Sequence, residues 1–334
     1  MKRPVAAMLI TQDMENRCFD QQDIERIAAR TELRRAQYDE MTDASQTKAI
    51  EGADIAITGW GSRPLSQAML EAAPELKLVC HAAGSVRHLV HDGFLAKGIQ
   101  VVTARDANGR VVAEFAFGMM LVSMKAVWWY HQATSQGEWN SAAARDWIRE
   151  PAGATVGIIG ASHTGRHMIR LCKTLPLDAI LVYDPYLTAD EAAHLEIEQV
   201  ELDELMRRSD VVSLHAPDTA ETRHMINAHT LGLMKDRAIF INTARGGCVD
   251  ETALIAELRQ GRLLACLDVT DPEPPAPDSP LYTLPNCILT PHIAGSLKEN
   301  IRMHGRQMAD AIEAFVEGKP LCHAIDLAHQ ERLA

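Results

Sequence analysis

The sequence lacks several features that would place the protein in a special class. No apolar run approaches the roughly 18 to 20 residues that a membrane-spanning helix needs. The first apolar stretch stops at Thr11, which argues against a secretory signal peptide. The cysteines are odd in number and scattered, with no C-x-x-C pair, so neither a disulfide framework nor a zinc site is expected, and we interpret them as buried thiols of a cytoplasmic protein. They are Cys18, Cys80, Cys172, Cys248, Cys266, Cys287 and Cys322.

Positive charge is also scarce. The 33 Lys and Arg residues face 45 Asp and Glu residues, which gives a formal net charge of −12. Because an acidic surface repels phosphate backbones, nucleic acid is not expected as a partner. Hydrophobic residues make up 47% of the chain, which excludes a disordered or collagen-like protein. At about 150 residues per domain, 334 residues predict two domains.

Short β-branched runs alternate with helical patterns, which is typical of parallel sheets covered on both faces. In the C-terminal half the predicted strands are Thr155–Ile159, Ala179–Tyr183, Asp210–Leu214, Ala238–Asn242, Leu263–Asp268 and Cys287–Thr290, and the helices are Thr164–Leu175, Leu202–Arg208, Ala228–Met234 and Asp250–Arg259. The N-terminal part repeats the pattern more weakly, with strands Val5–Ile10, Asp54–Thr58, Leu76–Cys80 and Ile99–Thr103 and helices Asp23–Leu33 and Leu65–Ala73. The fold class is therefore α/β, with two doubly wound parallel sheets.

The domain boundaries follow from two long helical patterns. A polar turn at Asp106–Gly109 precedes an apolar helix from Val111 to about Trp129. A second helix, about Leu297–Phe315, ends at a Gly-Lys-Pro stop signal and leaves a tail too short for a domain. We expect this tail to pack on the N-terminal unit, so that residues 1–106 and 298–334 form one discontinuous domain around a second domain, 107–297.

The strand Thr155–Ile159 runs into the turn Gly160-Ala-Ser-His-Thr-Gly165 and then a helix, the context of the dinucleotide fingerprint G-x-G-x-x-G. Ser162 replaces the second glycine, so either the loop shifts or the hydroxyl bonds the phosphate. The hexapeptide alone also fits a plain strand-to-helix turn. Asp184 ends the next strand 19 residues after Gly165, as a ribose contact requires, and no basic residue follows closely, which favours NAD over NADP.

Other phosphate or nucleophile motifs do not fit this turn. The spacing G-x-S-x-x-G is one residue too long for a hydrolase nucleophile elbow, and no Lys-Ser/Thr pair follows for a P-loop. A serine hydrolase using Ser162 is therefore the weakest functional hypothesis.

Ligands of open α/β sheets bind beyond the carboxyl ends of the strands. Arg245, Glu273 and His292 follow three successive strands. Arginine offers a planar fork for a carboxylate or carbonyl oxygen, histidine exchanges a proton near neutral pH, and a carboxylate beside it fixes its tautomer. Singly, Arg245 could be a cap, Glu273 a solvated charge and His292 a core imidazole. At consecutive strand ends, a reactive site is the better interpretation.

Six segments now give a resemblance: VGIIGASHTGRHM, LVYDP, VVSLHAPDTAETRHMI, INTARGGCVDETALIAELRQGRL, ACLDVTDPEP and LTPHIAGS. The chain resembles the D-isomer-specific 2-hydroxyacid dehydrogenase family, which includes phosphoglycerate, glycerate, hydroxypyruvate and glyoxylate reducing enzymes. The resemblance implies a Rossmann-type NAD domain inserted in a discontinuous, flavodoxin-like substrate domain. It also implies an NAD-dependent oxidoreductase that interconverts a small 2-oxo acid and its D-2-hydroxy acid.

The resemblance assigns roles by position. Arg245 would orient the oxo acid, His292 would exchange the proton and Glu273 would pair with His292; glutamine instead of Glu273 would have suggested formate dehydrogenase. The expected cofactor contacts are Gly160, Ser162, His163, Thr164, Gly165, Asp184, His215, Thr222, Thr243, Ala244 and Asp268. No metal is expected.

Two departures bear on the substrate. The family's carboxylate loop, Gly-x-Gly-x-Asp, reads Ala83-Gly84-Ser85-Val86-Arg87 here, although the main-chain N–H groups of Gly84 and Ser85 can still hold a carboxylate. Trp60 stands where phosphoglycerate enzymes tend to carry arginine, and an indole cannot neutralise a phosphate. We therefore expect an unphosphorylated substrate of the glyoxylate, hydroxypyruvate or glycerate type. Arg63, Arg87 or His88 could instead favour phosphoglycerate, and Trp60 could simply pack beneath the loop.

Two further expectations remain open. Relatives of the family include NAD-sensing corepressors that keep the same Arg, Glu and His, so a binding protein is the alternative from another class; the absence of interaction tails argues against it. Four of the five tryptophans, Trp128, Trp129, Trp139 and Trp147, lie close together in the sequence. They could be interdomain core, but large aromatics are enriched at subunit interfaces, so we expect a homodimer.

Overall fold

The computed structural model describes residues 3–36, 42–86, 89, 91–139 and 145–327. The chain divides into two compact units. Met1–Asn108 and Ser296–Ala334 form the first, which we call the split unit, and Gly109–Gly295 forms the second, the inserted unit. These bounds lie within two residues of the expected domain limits.

The split unit is built on a five-stranded parallel sheet with the order β2-β1-β3-β4-β5. This is the flavodoxin-like order, and it confirms the predicted fold class. The strands are β1 Val5–Met8, β2 Glu32–Arg35, β3 Ile55–Thr58, β4 Leu78–His81 and β5 Gln100–Thr103. The helices are α1 Gln12–Cys18, α2 Gln21–Arg30, α3 Asp43–Ile50, α4 Gln67–Ala72 and α5 Asp92–Ala96, joined after the inserted unit by a 3-10 turn, Lys298–Ile301, and a long helix, Arg302–Val316.

The inserted unit is built on a seven-stranded parallel sheet with the order β12-β11-β10-β9-β6-β7-β8. Counted from β6, this is the Rossmann order 3-2-1-4-5-6 with a seventh strand added, as predicted. The strands are β6 Thr155–Ile159, β7 Ala179–Tyr183, β8 Glu198–Gln199, β9 Val211–Leu214, β10 Ile239–Asn242, β11 Leu264–Leu267 and β12 Cys287–Leu289. The helices are α6 Arg105–Met124, which starts in the split unit, α7 Val127–Ser135, α8 His163–Cys172, α9 Ala189–His194, α10 Leu202–Arg208, α11 Ala228–Leu233 and α12 Glu251–Arg259. The long helix of the split unit, Arg302–Val316, is α13.

The burial of the strands explains why the sequence pattern predicts their positions. All residues of β6, β9 and β10 are buried, because helices cover both faces of a parallel sheet and the strands become continuous apolar runs. Phe240 and Ile241 point to opposite faces and belong to two different core clusters. Each such side chain contributes about 1.5–3 kcal/mol when fully buried. The carboxyl ends of these strands, where the predicted site residues lie, are thus held in place by a hydrophobic core on each face of the sheet.

The long apolar helix was predicted with the wrong bounds. Helix α6 begins at Arg105, so the expected polar turn Asp106–Gly109 is its first turn, and the helix ends at Met124 instead of continuing to Trp129. Ala126 has a φ of +52°, a left-handed conformation that breaks the chain of helical hydrogen bonds before α7. The predicted helix Leu297–Phe315 likewise divides into the 3-10 turn and α13.

Two polar strands were missed. Most of Glu32–Arg35 is charged and none of it is buried, so the pattern of a covered parallel strand is absent. It lies at the edge of the sheet, where polar side chains are normal, as does Glu198–Gln199 in the other unit. The prediction of buried cysteines is wrong for two of the seven, because Cys287 is half-buried and Cys322 is exposed; all seven cysteines are free.

Within the described ranges, no single helix is long and apolar enough to cross a membrane. Helices α6 and α7 together reach that length and composition, but they are bent by 59° at the break between them.

Candidate active site

Two glycines shape the turn after β6. Gly160 has a φ of +93°, which favours glycine, and a Cβ there would lie 2.8 Å from the Ala216 nitrogen. A Cβ on Gly165 would lie 2.0 Å from the Gly160 carbonyl oxygen. The turn therefore brings the N-terminus of α8 against the strand end, and both positions are closed to larger residues. This is the close strand-to-helix packing that the fingerprint requires.

Ser162, which replaces the second glycine, has its hydroxyl already engaged. The hydroxyl donates to the His215 carbonyl oxygen at 2.9 Å and accepts from the Gly165 N–H at 3.3 Å. Ser162 is thus the N-cap of α8 and ties it to the segment after β9. The sequence predicted either a shifted loop or a hydroxyl that bonds the phosphate. In the structure the Ser162 hydroxyl instead bonds the main chain of a neighbouring segment. A hydroxyl used in this way is also poorly placed to be a nucleophile.

Asp184 ends β7 with its carboxylate fixed by the main chain. One oxygen accepts from the Ala161 N–H at 2.7 Å and the other from the Tyr186 N–H at 2.8 Å. The Tyr186 hydroxyl in turn donates to Glu221 at 2.6 Å. The pKa of Tyr183 is raised, mainly by burial. The nearby carboxylates of Glu201, Asp184 and Glu221 raise it further. The surroundings of Asp184 are therefore acidic, which opposes a ribose 2′-phosphate.

Glu273 and His292 meet, as the family resemblance implied. His292 Nδ1 lies 2.6 Å from Glu273 Oε1, and both side chains are about half exposed. Since a carboxylate can only accept when ionised, Nδ1 carries the proton in this contact. The other ring nitrogen, Nε2, is left for a ligand, so the pair can exchange a proton at that atom.

Asp268 holds the backbone around His292. Its carboxylate accepts from the Thr290 hydroxyl at 2.6 Å and from the N–H groups of Ile293 and Ala294 at 2.9 and 2.8 Å. Its carbonyl oxygen accepts from the His292 N–H at 2.9 Å. His292 has a φ of +54°, which is rare for a residue with a side chain. Sequence reasoning placed Asp268 near the cofactor and missed this positioning contact.

Arg245 lies in a turn that another missed residue organises. The Asn242 side chain accepts from the Ala244 N–H at 3.0 Å and donates to the Arg245 carbonyl oxygen at 3.0 Å. The Arg245 guanidinium donates to the Ala244 carbonyl oxygen at 2.6 Å. Thr243, between them, has a buried hydroxyl with no partner among the described residues. An asparagine at a buried strand end was the available signal, because its amide can brace a turn.

The remaining predicted contacts follow β6 and β9. His163 and Thr164 begin α8, and a Cβ on Gly109 would lie 3.0 Å from the Thr164 hydroxyl. His215 is buried with Nε2 2.9 Å from the Ser213 hydroxyl, and burial lowers the pKa of His215 to about 4. The Thr222 hydroxyl donates to the Pro217 carbonyl oxygen. His215 and Thr222 thus stabilise the segment after β9, which packs against the turn at Gly160.

In the split unit, Gly84 and Ser85 follow β4. Ala83 is tied to the next strand, because its carbonyl oxygen accepts from the Ala104 N–H at 3.0 Å. Asn108 Nδ2 lies 3.6 Å from the position a Cβ on Gly84 would take, while Asn108 Oδ1 accepts from the Ser296 N–H. The loop at Gly84 is thus faced by an amide donor.

Trp60 follows β3 in the same unit and packs on a buried histidine that the sequence did not single out. The Trp60 and His304 ring centroids are 5.0 Å apart. His304 Nδ1 lies 3.3 Å from the Ala82 carbonyl oxygen, and burial lowers the pKa of His304 to about 4. Arg63 pairs with Asp43 at 2.5 Å. Arg87 and His88 lie outside the described residues.

No cluster of three or more His, Cys, Asp or Glu side chains suited to a metal occurs in the part of the chain that the structure describes.

Comparison with known proteins decides the family. Residues 117–294 match the model of the D-isomer specific 2-hydroxyacid dehydrogenase NAD binding domain. A glycerate dehydrogenase of Methylorubrum extorquens is 35% identical over 278 residues, which are 81% of this chain and 85% of the relative. The chain belongs to the D-isomer-specific 2-hydroxyacid dehydrogenase family. Its inserted unit is accordingly an NAD-binding domain, and NAD is the cofactor.

Other relatives show what the family membership leaves open. A D-3-phosphoglycerate dehydrogenase of Methanocaldococcus jannaschii is 33% identical over 297 residues, 88% of this chain but 56% of the relative. The chain spans about half the length of the D-3-phosphoglycerate dehydrogenases it matches. The solved D-mandelate dehydrogenase of Rhodotorula graminis shares the fold, with a TM-score of 0.84 and 24% identity over 97% of this chain and 98% of that one.

The residues of the inserted unit fit NAD. A Cβ at Gly160 or Gly165 would meet neighbouring backbone, so both glycines keep the tight turn that sets the N-terminus of α8 beside the strand end, and that N-terminus carries the positive end of the helix dipole. Asp184, held by two N–H groups, offers its remaining lone pairs to a ribose hydroxyl.

Proposed function

We propose that this protein is an NAD-dependent oxidoreductase that interconverts a small 2-oxo acid and its D-2-hydroxy acid. The observation that carries the proposal is the 2.6 Å contact between Glu273 and His292 at the end of β12 in an NAD-binding unit. A dehydrogenase of this kind needs one group that exchanges a proton with the substrate oxygen while hydride moves. The pair supplies that group in a fixed tautomer.

In the proposed mechanism, bound NAD supplies or accepts the hydride. His292 Nε2 gives a proton to the substrate oxygen during reduction and takes it back during oxidation. Glu273 accepts from Nδ1, which orients the ring and stabilises the imidazolium. The Arg245 guanidinium polarises the carbonyl and orients the acid. The main-chain N–H groups of Gly84 and Ser85 hold the substrate carboxylate. The Thr243 hydroxyl, Ala244 and the segment at His215 and Thr222 complete the cofactor contacts.

For the substrate, we propose an unphosphorylated acid of the glyoxylate, hydroxypyruvate or glycerate type. Trp60 carries no charge, and the buried His304 against it is neutral at pH 7 because burial lowers the pKa of His304. Arg63 is already paired with Asp43. Among the described residues, the Trp60 side of the loop therefore offers no free positive charge to a phosphate on the substrate side chain.

A panel of oxo acids tests this proposal. NADH oxidation is followed by absorbance with glyoxylate, hydroxypyruvate, pyruvate and phosphohydroxypyruvate. We expect kcat/KM to be at least about tenfold higher for an unphosphorylated acid, since one lost charge-assisted contact is worth roughly that factor. No turnover with any of them would reject the enzyme assignment, and a preference for phosphohydroxypyruvate would reject the substrate class.

We also propose a cytoplasmic homodimer. Seven free thiols suit a reducing compartment. Trp129 and Trp147 stack with ring centroids 4.6 Å apart, while Trp139 is 82% exposed and Val127 is 42% exposed. Exposed large apolar groups beside stacked tryptophans favour a subunit contact. Light scattering at micromolar concentration should give twice the mass of one chain, and the mass of a single chain would contradict the dimer.

A further inference from the structure

Arg105 is a positive charge without a partner. Within the described residues its guanidinium makes no hydrogen bond or ion pair, and its Nε is buried. Burial lowers the pKa of Arg105, with the adjacent Asp106 opposing the effect. A guanidinium stays charged in any protein, and an unpaired charge removed from water is unfavourable. An anion that pairs with the guanidinium would remove this unfavourable free energy. In a chain with a formal net charge of −12, a partly buried arginine without an acidic partner is still less expected.

The position of Arg105 relates it to the loop at Gly84. Arg105 directly follows Ala104, whose N–H donates to the carbonyl oxygens of Ala83 and His81 at 3.0 and 3.2 Å. It is the first residue of α6, and Asn108, three residues on, lies on the same face of that helix. The Asn108 amide nitrogen faces Gly84. Helical side chains lean towards the N-terminus of their helix, so the shared face directs Arg105 towards the same loop.

The two sides of this loop differ in charge. Strand β4, which precedes the loop, lies between β3 and β5. Trp60 and His304 lie on the β3 side and are uncharged at neutral pH. Arg105 and Asn108 come after β5 and supply donors only, apart from the Asn108 oxygen, which is used by Ser296. A 2-oxo acid has the same asymmetry, with an anionic carboxylate at one end and a side chain at the other.

We propose that Arg105 binds the carboxylate of the substrate beside Gly84. The inference rests on the proposed function and adds to it a charged donor that the main-chain loop does not itself contain. It also gives the acid an orientation, with the carboxylate on the Arg105 side and the side chain on the Trp60 side.

The test compares an acid with its uncharged ester. Arg105→Met keeps the length and apolar packing of the side chain but removes the charge, and Arg105→Lys keeps the charge without the planar fork. Arg110→Met is the matched control, because Arg110 lies on the same helix, is half exposed and pairs with Glu114. Each variant is assayed with NADH against pyruvate, methyl pyruvate, phosphohydroxypyruvate and a dicarboxylic oxo acid, and oxalate binding to the NADH complex is measured by calorimetry.

We expect Arg105→Met to lower kcat/KM for pyruvate about 10- to 100-fold, the range of a charge-assisted contact, with under about 3-fold change for methyl pyruvate. Oxalate affinity should fall by a similar factor to the pyruvate value, Arg105→Lys should recover part of both losses, and Arg110→Met should match the wild type.

Three results would overturn the inference. Equal losses for the acid and the ester would show a structural role, and unchanged pyruvate kinetics with unchanged oxalate binding would show no role. A loss confined to phosphohydroxypyruvate or a dicarboxylic oxo acid would place a distal anion at Arg105 instead of the carboxylate. In each case the wild type still reduces 2-oxo acids. If the wild type reduces none of them, the proposed function fails as well.

Discussion

At the scale of single residues, the site depends on a histidine in an unusual backbone conformation. A non-glycine residue with positive φ is disfavoured by roughly 1–2 kcal/mol, and His292 at +54° is held there by Asp268 through the main chain on both sides. The role of Arg245 stays a prediction, but the placement of Arg245, Glu273 and His292 after successive strands was predictable from the sequence. The supporting residues Asp268, Asn242 and His304 were not, because their roles arise from contacts that no local pattern encodes.

Replacing His292 by alanine should separate chemistry from cofactor binding. We expect kcat to fall about 10²- to 10⁴-fold, the usual contribution of a general acid or base, because His292 is the proposed proton-exchanging group. NADH affinity, measured by fluorescence titration, should stay within about twofold. Exposed His194→Ala is the control and should behave as the wild type. A His292→Ala protein with wild-type kcat would show that another group transfers the proton.

At the scale of elements, the buried strands and short helices such as Leu202–Arg208 were predictable, and the limits of the long helices were not. Buried strands such as Thr155–Ile159 have the predicted bounds, because two covered faces leave a continuous apolar run. The long helix beginning at Arg105 was misjudged at both ends. Its first turn is polar and resembled a loop, and its end is set by the left-handed Ala126, a residue type that gives no stop signal. The edge strands Glu32–Arg35 and Glu198–Gln199 were missed because their mostly polar residues, none of which is buried, form no apolar run.

Gly165 tests the packing of helix α8 on strand β6. In Gly165→Ala the methyl carbon would lie 2.0 Å from the Gly160 carbonyl oxygen, a backbone atom that cannot move aside as a flexible side chain would. We expect the free energy of unfolding to fall by about 1–3 kcal/mol and NADH affinity to fall with it.

Gly118→Ala is the matched control for that change. Gly118 lies inside helix α6 with open space around it, so alanine should raise the free energy of unfolding by up to about 1 kcal/mol. Urea unfolding with NADH titration measures both variants. Equal stability of Gly165→Ala and the wild type would contradict the described turn.

At the scale of the whole molecule, an acidic chain must bind an anionic cofactor and an anionic acid. The formal net charge of −12 repels both, so the proposed function requires local donors, for which we propose Arg245, Arg105 and the N-terminus of α8. The overall charge was plain from composition. Which arginines are used for folding was not, because pairs such as Arg63 with Asp43 and Arg149 with Asp210 form only in the folded chain.

Acid should destabilise the fold through two buried histidines. Burial lowers the pKa of His215 and of His304 to about 4, against about 6.5 when unfolded. Between these values the unfolded chain binds more protons than the folded one, so stability falls as pH falls from 6.5 towards 4 and is unaffected above 6.5. Each histidine should remove about 1.4 kcal/mol per pH unit.

Urea unfolding between pH 5 and 7 measures this dependence. His304→Gln should give a shallower slope than the wild type, and exposed His194→Gln should leave the slope unchanged. A slope that is identical in His304→Gln and the wild type would show that His304 takes up its proton in the folded state as readily as in the unfolded chain.

The most direct test of the central claim is the configuration of the product. The protein is incubated with NADH and hydroxypyruvate or pyruvate until the NADH is consumed, and the resulting hydroxy acid is resolved on a chiral column. We predict D-glycerate or D-lactate in amounts equal to the NADH oxidised. An L-hydroxy acid, a racemate, or no hydroxy acid from either substrate would contradict the claim.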